Sequence, residues 1–169
     1  NGSAQVKVDS AANELNPSPA GEGRIRPVIV IVEGPLIRIG EVTFSGNKAI
    51  TGEELRTRTT IQTAQPYIER QVIEDRERIL TEYLNRGYAS ATVKAVPTLT
   101  DGSRLGIRFD ISEGPQSIVD HVLVLGNVRT DPRVIEREIQ LKPGEPLGLE
   151  ALFETRRRLG SVGVVRRIE

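Results

Sequence analysis

Residues 33–47 read EGPLIRIGEVTFSGN and residues 113–127 read EGPQSIVDHVLVLGN, and the spacing between these two stretches decides the fold. Glu33-Gly34-Pro35 returns as Glu113-Gly114-Pro115 and Gly46-Asn47 as Gly126-Asn127, both at an offset of 80 that Pro66 and Pro146 also keep. Single Glu-Gly or Gly-Asn pairs are common, but three matched features in one register define an internal repeat. The chain is read as a tandem array, and every other feature is placed within a unit of 80 residues.

From Leu36 to Gly114 that unit reads strand, helix, helix, strand, strand. The first strand, Ile37 to Phe44, ends at Ser45-Gly46-Asn47, where Gly and Asn tolerate positive φ. Thr51 and Glu54 form a capping box, with Ile50 and Leu55 set as a hydrophobic staple across the helix start. In the second copy Asp131 takes the cap position and Pro132 the first helical one. A second helix over residues 66–86 carries the stripe Ile68, Val72, Ile73, Ile79, Leu80, Tyr83 and Leu84, and Gly87 ends it. Its other face, with Glu69, Arg70, Glu74, Asp75, Glu77 and Arg78, reads as solvated.

Two alternating runs follow. Ala89, Ala91, Val93 and Ala95 face one way in the first, and Leu105, Ile107, Phe109 and Ile111 in the second. The turn Thr100-Asp101-Gly102-Ser103 joins them as a hairpin. Each run has a single apolar side, which matches a three-stranded sheet covered on one face by two helices. The predicted fold class is α+β, in tandem β-α-α-β-β modules.

Composition narrows the chemistry. Of 169 residues 37% are apolar and 27% charged, as in ordinary globular modules, while 4% aromatic content points to small cores. Lys and Arg (23) balance Asp and Glu (23), so no net field draws the chain to nucleic acid or an anionic membrane surface. The absence of cysteine excludes disulfides and thiolate metal sites, and the apolar run Val28 to Val32 is too short to cross a bilayer as a helix.

No reactive constellation emerges. His121, in a strand-like run from Ile118 to Leu125, has no second histidine to complete a metal site. Glu53-Glu54 and Glu74-Asp75 fit a helix start and a helix face better than an acid/base dyad. Ser45, Ser90 and Ser117 lack a nucleophile elbow, and no phosphate loop or dinucleotide fingerprint occurs. Arg156-Arg157-Arg158 suits a helix C-terminus, which favours cations. The expectation is a binding module, neither an enzyme nor a cofactor protein.

The β-α-α-β-β unit, the strand-ending Gly46-Asn47 and Gly126-Asn127, the Tyr-Leu-x-x-Gly-Tyr segment at Tyr83 to Tyr88, and Glu33-Gly34 with Glu113-Gly114 together resemble the polypeptide-transport-associated (POTRA) domain family, over residues 26–169. That resemblance implies a periplasmic location at the bacterial outer membrane, in a surface-antigen-type parent attached to an outer-membrane β-barrel. It implies a role in assembling or inserting outer-membrane proteins, with unfolded barrel clients, accessory lipoproteins or periplasmic chaperones as partners. The alternatives are the POTRA region of a polypeptide secretion transporter and a purely structural spacer.

Aligned on the repeat, residues 1–34 read as the C-terminal strands of a preceding truncated module, 35–114 as a complete module, and 115–169 as a module truncated before its last strand. Val6 and Val8 mark a strand joined through the loop Asn16 to Gly23 to the run Arg26 to Glu33, and Val164 to Ile168 a strand at the other end. Val28 to Val32 is apolar on both faces, so it is expected to complete the strand-deficient C-terminal module, within the chain or in a strand-exchanged homodimer. The candidate binding site is the edge strand Ser90, Ala91, Thr92, Val93, Lys94 and Ala95, with Lys94 and Pro97 as guards against uncontrolled pairing. Glu113-Gly114-Pro115 leaves almost no linker, which predicts a restricted hinge.

Overall fold

Valine and isoleucine hold backbone extended because two heavy atoms on Cβ restrict χ1. Strand β1 (Gln5–Lys7) and strand β2 (Val30–Val32) pair antiparallel, with Gln5 opposite Val32, Val6 opposite Ile31 and Lys7 opposite Val30. The computed structural model describes residues 5–7, 30–32, 36–101, 103–127 and 130–161, with backbone alone at 5–7, 30–32 and 101. Val8, the loop 16–23, residues 28 and 29, Gly102 and the run 164–168 lie outside these. Two units are distinguished, residues 1–37 and 38–169, and β1 and β2 belong to the first.

In the second unit, alternation builds the sheet. Strands β3 (Arg38–Ser45), β4 (Thr92–Asp101) and β5 (Arg104–Ser112) stand in the order β3-β5-β4, β5 parallel to β3 and antiparallel to β4. Helices α1 (Gly52–Arg58) and α2 (Glu69–Asn85) supply the other layer. The core between the layers takes Ile39 and Val42 from β3, Ile50 and Leu55 from the first helix start, Val72, Ile79 and Tyr83 from α2, and Val93, Ile107, Phe109 and Ile111 from the hairpin. Each such aliphatic or aromatic side chain contributes about 1.5–3 kcal/mol by leaving water. Both members of the expected staple, Ile50 and Leu55, are fully buried, and Thr51 Oγ1 accepts from the Glu54 amide at 3.2 Å.

Three boundaries differ from expectation. Helix α2 begins at Glu69 and not Pro66, because Gln65 and Pro66 are held against β3: the Ile39 amide donates to the Gln65 carbonyl at 2.8 Å, and Arg38 bridges to Pro66. Strand β4 begins at Thr92 and not Ala89, because the Ala91 amide closes a turn on the Tyr88 carbonyl at 3.0 Å. It also continues through Pro97 to Asp101, opposite the full length of β5. Ile68, the residue before α2, and Ile73 on it are 45% and 46% exposed and stand off the buried stripe.

Asp75 overturns the reading of a wholly solvated opposite face. Positions 72, 75, 79 and 83 advance by three and four residues along one stripe, and Asp75 is fully buried within it.

The repeat is present in three dimensions. The Val119 amide donates to the Glu145 carbonyl and the Gly144 amide to the Val119 carbonyl, as the Ile39 amide does to Gln65 and the Ala64 amide to Ile39. Ile118 bridges to Pro146 as Arg38 does to Pro66, and Gly46 and Gly126 share a φ of 81°. Helices α3 (Pro132–Glu136) and α4 (Leu149–Ser161) repeat the helical layer, and Asp131 caps α3 through the Arg133 amide at 2.9 Å.

The strand expected over Ile118 to Leu125 does not form: beyond the single bridge to Pro146, the described residues of this run join no ladder. Its counterpart β3 is held by its parallel pairing with β5.

Candidate functional site

A sheet of order β3-β5-β4 has two edges, and they differ. The start of β3 is already engaged by residues 64–66, whereas the described residues place nothing on the outer side of β4. Of the expected site residues, Thr92, Val93, Lys94 and Ala95 lie on β4, while Ser90 sits in the preceding turn and Ala91 leads into the strand. Val93 and Ala91 face the core, at 8% exposure each, and Thr92 and Lys94 face solvent.

The direction of the backbone groups follows from β5. The Ile111 carbonyl faces Gly46 at the end of β3, where an added Cβ would sit 2.1 Å from it. In a central strand a residue turned towards one neighbour is turned from the other, so Val93, opposite Ile111, sends its own N–H and C=O away from β5. Ala95 and Pro97 share that parity. Proline has no N–H to give, and its place on the outward-facing register leaves the ladder to β5 whole. The open edge before Pro97 thus presents the backbone of Val93 and Ala95.

Behind this edge the hairpin is anchored by Glu113. Its Oε1 accepts from the Lys48 amide at 2.6 Å, the Ala49 amide at 2.9 Å and the Tyr83 hydroxyl at 2.9 Å. Burial pushes the Glu113 carboxyl up, but the two amides and the tyrosine outweigh it and hold the group below its ordinary pKa. Burial, and next the bond to Glu113, raise the Tyr83 hydroxyl. The Glu-Gly and Tyr-Leu-x-x-Gly-Tyr segments, read in the sequence as separate marks, are therefore one hydrogen-bonded tie between β5, α2 and the loop after β3.

A second buried polar group escaped the sequence reading. Asp75 accepts from the Thr60 amide at 2.8 Å, the Ile61 amide at 2.9 Å and the Thr60 hydroxyl at 3.0 Å, and pairs with Arg78. Eighty residues on, buried Thr155 accepts from the Gln140 amide at 2.9 Å, at the position equivalent to Thr60. The available signal was the spacing of Asp75 from Val72 and Ile79, with Thr155 at the repeat offset.

The boundary between the two copies is also built. The Ser117 amide donates to the Gly87 carbonyl at 2.8 Å, and Gln116 Nε2 to the Arg86 carbonyl at 2.9 Å. Asn85 Oδ1, at the end of α2, accepts from the Glu150 amide in the first turn of α4 at 3.0 Å. A Cβ on Gly148 would fall 2.6 Å from the Asn85 carbonyl, so only glycine lets the two helix ends meet. Beside this joint Asn85, Pro146, Ala151 and Phe153 line an open cleft of about 660 Å³. Its arginines are already paired, Arg86 with Glu54 and Glu82, and Arg157 with Glu154.

His121 is exposed and joined to Asp120 at 2.7 Å. Among the described residues there is no group of three or more His, Asp or Glu side chains able to hold a metal, and no helix long and apolar enough to cross a membrane.

Residues 37–114 match the family model named POTRA and described as a surface antigen variable number repeat. A putative outer membrane protein assembly factor of Treponema pallidum (strain Nichols) is 24% identical over 160 residues, covering 94% of this chain and 19% of that protein. The chain thus spans about a fifth of the length of the curated relative it matches. The POTRA3-5 structure of Haemophilus influenzae BamA is similar with a TM-score of 0.61 at 19% identity, over 100% of this chain and 66% of that one. BamA from Haemophilus ducreyi lacking POTRA domains 1-3 gives a TM-score of 0.66 at 24% identity, over 78% of this chain and 25% of that one. At these identities the solved structures establish likeness of fold.

Proposed function

We propose, from the premise that residues 37–114 belong to the POTRA family, that the chain is a polypeptide-binding, non-enzymatic part of an outer-membrane protein assembly factor, working on the periplasmic side of that membrane. In this reading the chain divides into residues 1–34, 35–114 and 115–169. The parent carries an outer-membrane barrel, and the partners are unfolded outer-membrane proteins together with accessory lipoproteins or periplasmic chaperones.

One observation carries the mechanism: β4 is an edge strand whose outward backbone, at Val93 and Ala95, has no partner among the described residues. An extended client adds there as a further strand. Main-chain hydrogen bonds supply the attraction and are blind to side-chain identity, which suits a factor serving many clients. Lys94 and Pro97 keep the edge from pairing with another copy of itself.

Ala95→Pro removes an outward N–H without touching the ladder to β5, while Ala95→Val keeps that N–H. Titration with an extended peptide of alternating apolar sequence should show loss of binding for the proline variant and retention for the valine one, with circular dichroism unchanged in both. Unaltered affinity in a folded Ala95→Pro chain sinks the assignment to this edge.

A further inference from the structure

We infer that Arg56 is a specificity-determining residue that bars added strands from the β3 edge and so leaves β4 to the client, a step that rests on the strand addition proposed above.

The two edges offer outward backbone in equal measure. At the start of β3 the Ile39 amide donates to the Gln65 carbonyl at 2.8 Å, and the Ile39 carbonyl accepts from the Ala64 amide at 2.7 Å. Ile39 therefore turns its backbone groups away from β5. From Ile39 to Val42 the strand spends three residues where β5 spends two, from Leu105 to Ile107, so Gly40 and Glu41 bulge opposite Gly106. Val42 thereby regains the direction of Ile39, and both side chains are buried in the core. Alternation places Phe44 in the same set and turns Thr43 towards β5. Val42 and Phe44 on β3 thus correspond to Val93 and Ala95 on β4.

What meets these stretches differs. Arg56, in the last turn of α1, donates from Nη1 to the Val42 carbonyl at 2.9 Å. The helix is held close to the strand by buried Leu55 and by Gly52, where an added Cβ would lie 3.8 Å from the Phe44 ring. A strand joining β3 has to give its own N–H to the Val42 carbonyl, and so has to displace the guanidinium. Guards on β4 work otherwise. Lys94 turns to solvent and Pro97 lies beyond the open stretch, so neither occupies the carbonyls of Val93 and Ala95.

The helix itself does not call for this arginine. A cation suits any helix C-terminus, but Arg58, two residues on, reaches to Glu82 at 3.3 Å instead. In the second copy α3 forms with Glu136 at the position equivalent to Arg56, and a carboxylate has nothing to donate.

Arg56→Ala and Arg58→Ala remove the same charge, and only the first frees the Val42 carbonyl. The whole chain is titrated calorimetrically with a synthetic Val-Thr repeat peptide, and amide hydrogen exchange locates what binds. Wild type and Arg58→Ala should each take one peptide, with exchange slowed at Val93 and Ala95. Arg56→Ala should take two, the second slowing exchange at Phe44 and binding there about tenfold or more tighter than in wild type. Arg56→Ala combined with Ala95→Pro should keep the β3 site alone. Circular dichroism confirms that each variant is folded. Exchange at Phe44 that the peptide leaves unchanged in Arg56→Ala, or an Arg58→Ala chain that also takes two peptides, overturns the inference. Protection at Phe44 in Arg56→Ala without any at Val93 bears out the guard and sinks instead the assignment of clients to β4.

Discussion

Replacing Asp75 with alanine should destabilise the complete module far more than an ordinary helix-surface change. Four donors lose their acceptor, but not equally. The Thr60 hydroxyl is exposed and turns to water, as does Arg78, whose side chain is 45% exposed. The amides of Thr60 and Ile61 cannot follow, since the segment is pinned by Ile61, itself 3% exposed. A buried N–H left unpaired costs about 1–3 kcal/mol, so the pair loses about 2–6 kcal/mol, out of a total stability of about 5–15 kcal/mol for a domain. Asp75→Thr should recover about half of that loss, because the equivalent Thr155 serves one amide, that of Gln140, through its hydroxyl. Urea unfolding followed by circular dichroism gives the two differences, and hydrogen exchange at Thr60 and Ile61 localises them. An alanine variant within about 0.5 kcal/mol of wild type, the range of neutral surface changes, refutes the argument, as does unchanged exchange at Ile61.

Glu113 supplies an acid limb to stability: its folded pKa lies below the unfolded value of about 4.3, so its contribution is present above that pH and is lost as pH falls through the folded value. Urea midpoints measured between about pH 6 and pH 3 should fall less steeply for Glu113→Gln than for wild type, and parallel curves contradict this. Gly46→Ala and Gly126→Ala both force alanine to a φ of 81°, at about 1–2 kcal/mol each, but only Gly46 also meets the Ile111 carbonyl. Thermal melts should show the larger loss at Gly46, and equal losses mean that β3 and β5 separate there without strain.

The offset of 80 carried most of the fold, because a repeat fixes topology twice and each copy checks the other. Thr51, Asp131 and the alternation of Leu105 to Ile111 signal their roles locally and kept them in three dimensions. Asp75 did not, since a carboxylate among Glu74, Glu77 and Arg78 looks like surface until the helix is wound and its phase with Val72 is counted. The start of α2 was misread for a similar reason: Pro66 is a good first helical residue locally, but its neighbour Gln65 is bound to β3 from a distance. Residues 118–125 alternate like a strand, yet among the described residues they join no ladder beyond the bridge of Ile118 to Pro146, and pairing is a property of the sheet and not of the segment. The candidate edge was legible as a strand with Lys94 and Pro97, whereas its outward parity needed the position of Ile111 against Gly46.

The contact of Asn85 with the first turn of α4 makes the module boundary an energetic link as well as a geometric one. When the complete module unfolds, α4 loses the acceptor for its Glu150 amide and the wall that Gly148 rests on, so its nucleation becomes harder. Stability then resembles a one-dimensional chain of units with a nearest-neighbour term, in which melting one unit lowers the threshold for the next. Pulling on such an array from its ends should give rips whose sizes merge two units, and the spacing of those rips reads the strength of a single asparagine.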